Sequence, residues 1–271
     1  MADHRMVFSA NPGRSGSGYL ASLLGACATV DAGHERLPAM VDVWLRRVSY
    51  HGAAESFEDR KMKTAAIRSD LKLLPDGVVY VDTSHMFVKT FGDVVLHEFD
   101  HELISVIVLR RNPIEVARSF FELDEFGPRR RPWHDFMPSP TAPGMIFTLA
   151  ATEVKDQFDL IFGCLVDNVA RTRLLQATAP SVTWIPAALD QITSAVGAKH
   201  LISSLDLVVP DDVEDRVKQR VNIKTAEKQS QKQFVPDGYI AMRLESFINR
   251  FATRPEVGAF VEHYEIDLRA Q

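Results

Sequence analysis

A chain of 271 residues, 46% hydrophobic and 25% charged, has globular composition and is long enough for one large α/β domain or two small ones. Its net charge of −5 disfavours general nucleic-acid affinity, so any anion site has to be local. No apolar run reaches the ~18 residues of a membrane span, and the opening MADHRMVF lacks the order of a secretory signal, so the expectation is a soluble, cytoplasmic protein without anchor or membrane partner.

The first apolar run, residues 6–10, reads as a buried strand and leads into the turn Asn11-Pro12-Gly13-Arg14-Ser15-Gly16-Ser17-Gly18. A helical pattern follows over 19–27 and a weaker strand over 29–33. Helices are predicted over 40–48 and 61–74, strands over 78–83 and 103–109, and a helix over 113–123. Residues 127–144 carry five prolines and the run Arg129-Arg130-Arg131, which makes them a loop and a candidate substrate lid. A helix over 145–177 and a strand over 181–186 precede a polar, helical C-terminal third with a flexible stretch at 229–233. Strands alternating with helices argue for α/β architecture: a central parallel sheet flanked by helices on both faces. No repeat and no clean linker appears, so a single domain over 1–271 is expected. Cys27 and Cys164 lie far apart in apolar surroundings, without metal-ligand spacing, and read as buried thiols.

The glycine-rich turn between the first strand and helix points backbone N–H groups at one spot beside the positive end of a helix dipole, which suits phosphate or sulfate. Arg14 adds a permanent charge with a fork of donors. Three patterns compete. The spacing from Gly13 to Gly18 is that of a P-loop, but Tyr19 and Leu20 stand where Lys and Ser/Thr would serve the phosphates and Mg²⁺. The run Gly16-Ser17-Gly18-Tyr19-Leu20-Ala21 fits the dinucleotide turn, with Glu35 near the place of the ribose-binding acid. The third possibility is a glycine turn with no ligand.

A second constellation lies in VIVLRRNPIEVARSFFEL, residues 106–123. A strand ends at Arg110-Arg111-Asn112, a helix opens at Pro113, and Ser119 lies two turns beyond Arg111. Arg and Ser so spaced suit a second phosphate; the plain alternative pairs Arg111 with Glu115 and leaves Ser119 without a role.

Together these segments resemble the sulfotransferase superfamily, above all its bacterial and tyrosylprotein-type members. RSGSGYL, residues 14–20, is similar to the loop that holds the 5′-phosphosulfate of PAPS (3′-phosphoadenosine 5′-phosphosulfate), and RRNPIEVARSFF, residues 110–121, to the 3′-phosphate motif. The resemblance implies a P-loop-NTPase-like sulfotransferase fold, PAPS as co-substrate and its product PAP (3′,5′-adenosine diphosphate), no required metal, and a small-molecule or carbohydrate acceptor. It implies donor contacts from Arg14, Ser15, Gly16, Ser17, Gly18 and Tyr19, and from Arg111 and Ser119. Arg220-Val221-Asn222 resembles a late segment that closes over the nucleotide, which adds Asn222.

Sulfuryl transfer needs a base for the acceptor hydroxyl and positive charge for the leaving phosphate. Arg14 and the turn's amides meet the second need. For the base, Glu35 stands at the spacing of the tyrosylprotein enzymes' catalytic glutamate, or it pairs with Arg36 as an ordinary surface acid. Asp82 and His85, in Asp82-Thr83-Ser84-His85, are rivals, where carbohydrate and cytosolic members carry a glutamate or a histidine. The superfamily's lysine at this place is replaced by Thr83. A PAP-binding module without catalysis and a dinucleotide-dependent oxidoreductase remain the alternatives. Trp133 is either an acceptor contact or packing.

Overall fold

The computed structural model describes residues 4–127, 131–218 and 234–267. Five strands form one sheet: β1 (Met6–Ala10), β2 (Val30–Gly33), β3 (Val79–Asp82), β4 (Ile104–Arg110) and β5 (Thr183–Ala188). They lie in the order β2-β3-β1-β4-β5, and every pairing is parallel. The α/β class with a central parallel sheet is therefore observed. β1 and β3 are buried at every residue, as near-continuous apolar runs in a parallel sheet should be; the edge strands β2 and β5 are partly exposed. Alternation sends Val7 and Phe8 to opposite faces. Val7 joins Leu20, Leu23 and Leu24 of α1 (Ser17–Leu24) in one core, while Phe8 stacks on Phe87 at 5.0 Å.

From β1 the chain runs out to β2, returns to β3 beside β1, and crosses to β4 on the other side of β1. The order reverses between β1 and β4, so the turns leaving these two strands border one crevice, the place where open α/β sheets bind ligands.

By contact the chain divides into two compact units. The first, drawn from Met1–Met40, Phe57–Arg111 and Leu175–Ile223, holds the sheet. The second, drawn from Val41–Ser56, Asn112–Leu174 and Lys224–Gln271, has helices Pro113–Glu122, Asp237–Arg250 and Pro255–His263 around a phenylalanine-rich core. Each unit is assembled from three segments, which is why the sequence shows no clean linker.

Two stretches depart from expectation. The helix predicted over 145–177 opens only at Gln157. Asp156 caps it, its Oδ1 accepting the amides of Phe158 at 2.9 Å and Asp159 at 3.3 Å. Asp167 Oδ1 takes the amides of Ile146 and Phe147 at 2.7 and 3.1 Å, so those groups are committed outside any helix. Residues 84–102 had no predicted element, yet hold a π-helical turn, Phe87–Phe91, and a helix, Gly92–Glu98. Trp133 is buried, stacked on His134 at 3.6 Å and tilted against Phe126 at 4.6 Å, so it serves packing. Arg129, Arg130, the 229–233 stretch and Arg220-Val221-Asn222 lie outside the described residues. Among the described residues no helix is long and apolar enough to cross a membrane.

Candidate functional site

The turn after β1 is built from left-handed residues: φ is 91° at Gly13, 57° at Arg14 and 92° at Gly16. Gly16 needs its missing side chain twice over, because a Cβ there would also lie 2.5 Å from Leu189 Cδ1. Asn11 braces the turn, accepting the Gly13 amide at 3.0 Å and donating to Ser9 Oγ at 2.9 Å. Ser15 Oγ donates to the Gly13 carbonyl at 3.2 Å. The Leu20 amide donates to the Gly16 carbonyl at 2.9 Å, so the amides of Ser17, Gly18 and Tyr19 precede the first helical donor and sit at the positive end of α1. Tyr19 spends its hydroxyl on the Ile192 carbonyl at 2.9 Å, and burial raises its pKa. From the end of β4, Arg111 Nη1 donates to the Arg14 carbonyl at 2.9 Å. Two arginines thus meet at the reversal point of the sheet.

Glu35 lies two residues past β2 with φ 56°. It does not take Arg36 as its partner. Arg36 turns away to Asp31 Oδ2 at 2.9 Å and the Val81 carbonyl at 2.9 Å, over the ring of Tyr80. Instead, Glu35 Oε1 is 3.3 Å from His85 Nε2 and 3.6 Å from His34 Nε2. His85 Nδ1 is 2.7 Å from Lys89 Nζ, which also donates to the Pro12 carbonyl at 2.9 Å. An ammonium only donates, so Nδ1 accepts and the imidazole hydrogen sits on Nε2, facing Glu35. Burial, reinforced by the Lys89 charge, holds His85 down to about 4. The hydrogen bond from His85, followed by the charges of His85, His34 and Lys89, overcomes burial and holds Glu35 at about 2. Near neutral pH the pair is therefore a neutral imidazole and a carboxylate, and the Glu35 side chain is 31% exposed.

Asp82 is not placed as the rival base the sequence suggested. It is fully buried, with Oδ2 2.9 Å from Lys63 Nζ and Oδ1 accepting the Ser84 amide at 3.1 Å. Lys63 is itself buried and donates to the Arg36 carbonyl at 2.7 Å. Both Asp82 oxygens are committed, in a dry pair that ties helix Met62–Leu71 to β3. Thr83 donates to the Ser17 carbonyl at 2.8 Å and so stitches the end of β3 to the start of α1.

The cation at this corner comes from Lys89, which sequence reasoning missed. Its one signal was spacing: a lysine four residues after a candidate histidine, inside the apolar run MFVKTF. Arg111 belongs to the first unit. Ser119 is buried in a helix of the second, opened by Pro113 and capped by Asn112 Oδ1 on the Ile114 amide at 2.9 Å. Asn222 lies outside the described residues. Among the described residues no group of His, Cys, Asp and Glu is arranged to hold a metal ion.

No protein-family model matches the sequence, and no curated protein matches it. Among solved structures, the sulfotransferase domain from the curacin biosynthetic pathway is similar over 98% of this chain and 98% of its own, with 12% identity and a TM-score of 0.49. A likeness of that degree carries no argument about chemistry.

Proposed function

We propose that this chain is a PAPS-dependent sulfotransferase acting on a hydroxyl, or less readily an amine, of a small molecule or sugar. The observation that carries the reading is an ionised, solvent-reachable Glu35 carboxylate, held by the His85–Lys89 pair whose lysine also grips the glycine–arginine turn. In this reading Arg14 and the amides of Ser15 to Tyr19 hold the 5′-phosphosulfate, and Arg111, which reaches the Arg14 carbonyl, serves the 3′-phosphate. The acceptor oxygen attacks sulfur as its proton passes to Glu35. The bond from sulfur to the bridging oxygen breaks, and PAP departs with that electron pair, its growing charge met by Arg14 and the turn amides.

Of the three candidate bases, Glu35 suits the task best. Asp82 is neutralised in its buried pair with Lys63. His85 has no lone pair to offer, because Nδ1 accepts from Lys89 and Nε2 carries hydrogen. A carboxylate near 2 is a weak base, but the donor's negative charge beside it raises that value and brings it closer to its task. The dinucleotide alternative is opposed by strand order: that fold sets the second strand beside the first, whereas here β3 lies between β1 and β2. The non-catalytic alternative rested on the lysine missing at Thr83, and Lys89 returns a cation to the same corner.

Calorimetric titration with PAP, alongside ATP and NAD⁺, tests the reading first. PAP binding that weakens sharply in Arg111→Ala, followed by transfer of ³⁵S from labelled PAPS to an acceptor panel, supports it. Absence of PAP binding overturns it.

A further inference from the structure

Lys89 is 2% exposed, and its ammonium reaches both the Pro12 carbonyl and His85 Nδ1, a costly burial for a lysine. It is carried by the π-helical turn Phe87–Phe91, a type of turn that recurs at functional sites. Phe87 anchors that turn, stacked on Phe8 of β1 at 5.0 Å and edge-on to Phe91 at 5.6 Å. From that fixed origin the ammonium reaches the Pro12 carbonyl, where the glycine turn begins, and His85 Nδ1.

Resting on the sulfuryl-transfer reading above, we propose that Lys89 is a positioning residue that couples the donor turn to the base. Through the Pro12 carbonyl it fixes the turn; through His85 Nδ1 it fixes the Nε2–H tautomer, which in turn orients the Glu35 carboxylate. Glu35 and His34 approach His85 from the segment after β2, and Lys89 from its own helical turn. The turn after β1 packs on the ring through Gly13, where a Cβ would lie 3.4 Å from Nδ1, and the charged residue of that turn is the exposed Arg14. Removing the Lys89 charge frees Nδ1 and removes the like charge that opposes an imidazolium. His85 then takes a second proton, and Glu35 faces a cation that makes it a poorer proton acceptor.

The test compares the intact protein with Lys89→Met and Lys89→Arg. The ¹⁵N shifts of the His85 imidazole, followed by NMR from about pH 5 to 8, report tautomer and charge without any need for activity. The natural protein should keep a predominantly neutral Nε2–H ring over that range. In Lys89→Met the ring should populate both tautomers and titrate above its value in the natural protein, with burial still holding it below the ordinary imidazole value of about 6.5. Turnover should fall several-fold toward pH 5, acquiring an acid limb at the same pH as that titration. Lys89→Arg, which keeps a cationic donor, should retain the Nε2–H form and the original profile. A lysine that only supports the fold would lower turnover equally at every pH and leave the His85 titration unmoved, and that result overturns the proposal. If Lys89→Met does not fold, an Nδ1–H tautomer in the natural protein still overturns it. Correct tautomer behaviour in a protein that transfers no sulfuryl group to any acceptor defeats the functional reading and, with it, the catalytic half of the proposal, leaving the Lys89–His85 contact as structure alone.

Discussion

Acid should destabilise this protein through His85. The buried ring titrates at about 4, against 6.5 for an ordinary histidine. The unfolded chain therefore binds a proton over a range where the folded chain refuses it. The stability this confers is complete above about 6.5 and is lost as pH falls toward 4. At pH 5 an unfolded histidine is almost wholly protonated and the folded one about a tenth so, which amounts to a loss of about 2 kcal/mol. Glu35 interferes little: its depressed pKa, about 2 against 4.5, places its window between those two values and costs only about 0.2 kcal/mol at pH 5. Urea unfolding of the natural protein and of His85→Asn, each at about pH 7.5 and pH 5, reads the effect, because groups that do not touch His85 cancel in the difference and Glu35, which does, contributes little at pH 5. The natural protein should lose about 2 kcal/mol more than the variant between the two conditions. Equal losses would show that His85 is not held neutral by burial and Lys89, and the tautomer argument would fall with that.

Lys63→Met strands a fully buried Asp82 carboxylate and should cost about 3–5 kcal/mol in denaturant unfolding, with the double variant Lys63→Met/Asp82→Leu recovering most of it. A single-variant cost below about 1 kcal/mol would mean the pair is not buried as described. Gly16→Ala forces φ 92° on a residue with a side chain and presses on Leu189, so about 1–2 kcal/mol of stability should be lost together with most PAP affinity by calorimetry. Full affinity in this variant would separate the turn from the donor site. Glu35→Gln should reduce ³⁵S transfer about a hundredfold or more while PAP affinity stays close to natural; unchanged turnover would remove Glu35 as base.

The parts legible in the sequence are those whose cause is local. Met6–Ala10 is a buried strand because its apolar residues are contiguous, and the next eight residues make a turn because Gly13 and Gly16 stand where the backbone is left-handed and Asn11 accepts the Gly13 amide. Pro113 opens its helix because its fixed φ suits the first helical position. The start of the long helix at Gln157 was misplaced because an aspartate cap weighs little against an apolar run that continues on both sides of it. What the sequence could not decide is which local pieces meet. Nothing in residues 30–33 or 79–82 says that the later strand lies next to β1 and the earlier one at the edge, yet that order opposes the dinucleotide reading. Nor does any spacing show that Arg36 turns to Asp31, leaving Glu35 to His85, or that Lys63 consumes Asp82. Those partners stand 5, 50 and 19 residues apart in the chain, and the sheet brings them together. Composition and pattern determined an α/β protein with a glycine-rich turn after its first strand, because propensity and periodicity act over a few residues. The ionisation and orientation of its acid were decided by the tertiary structure, because burial and charge act through space.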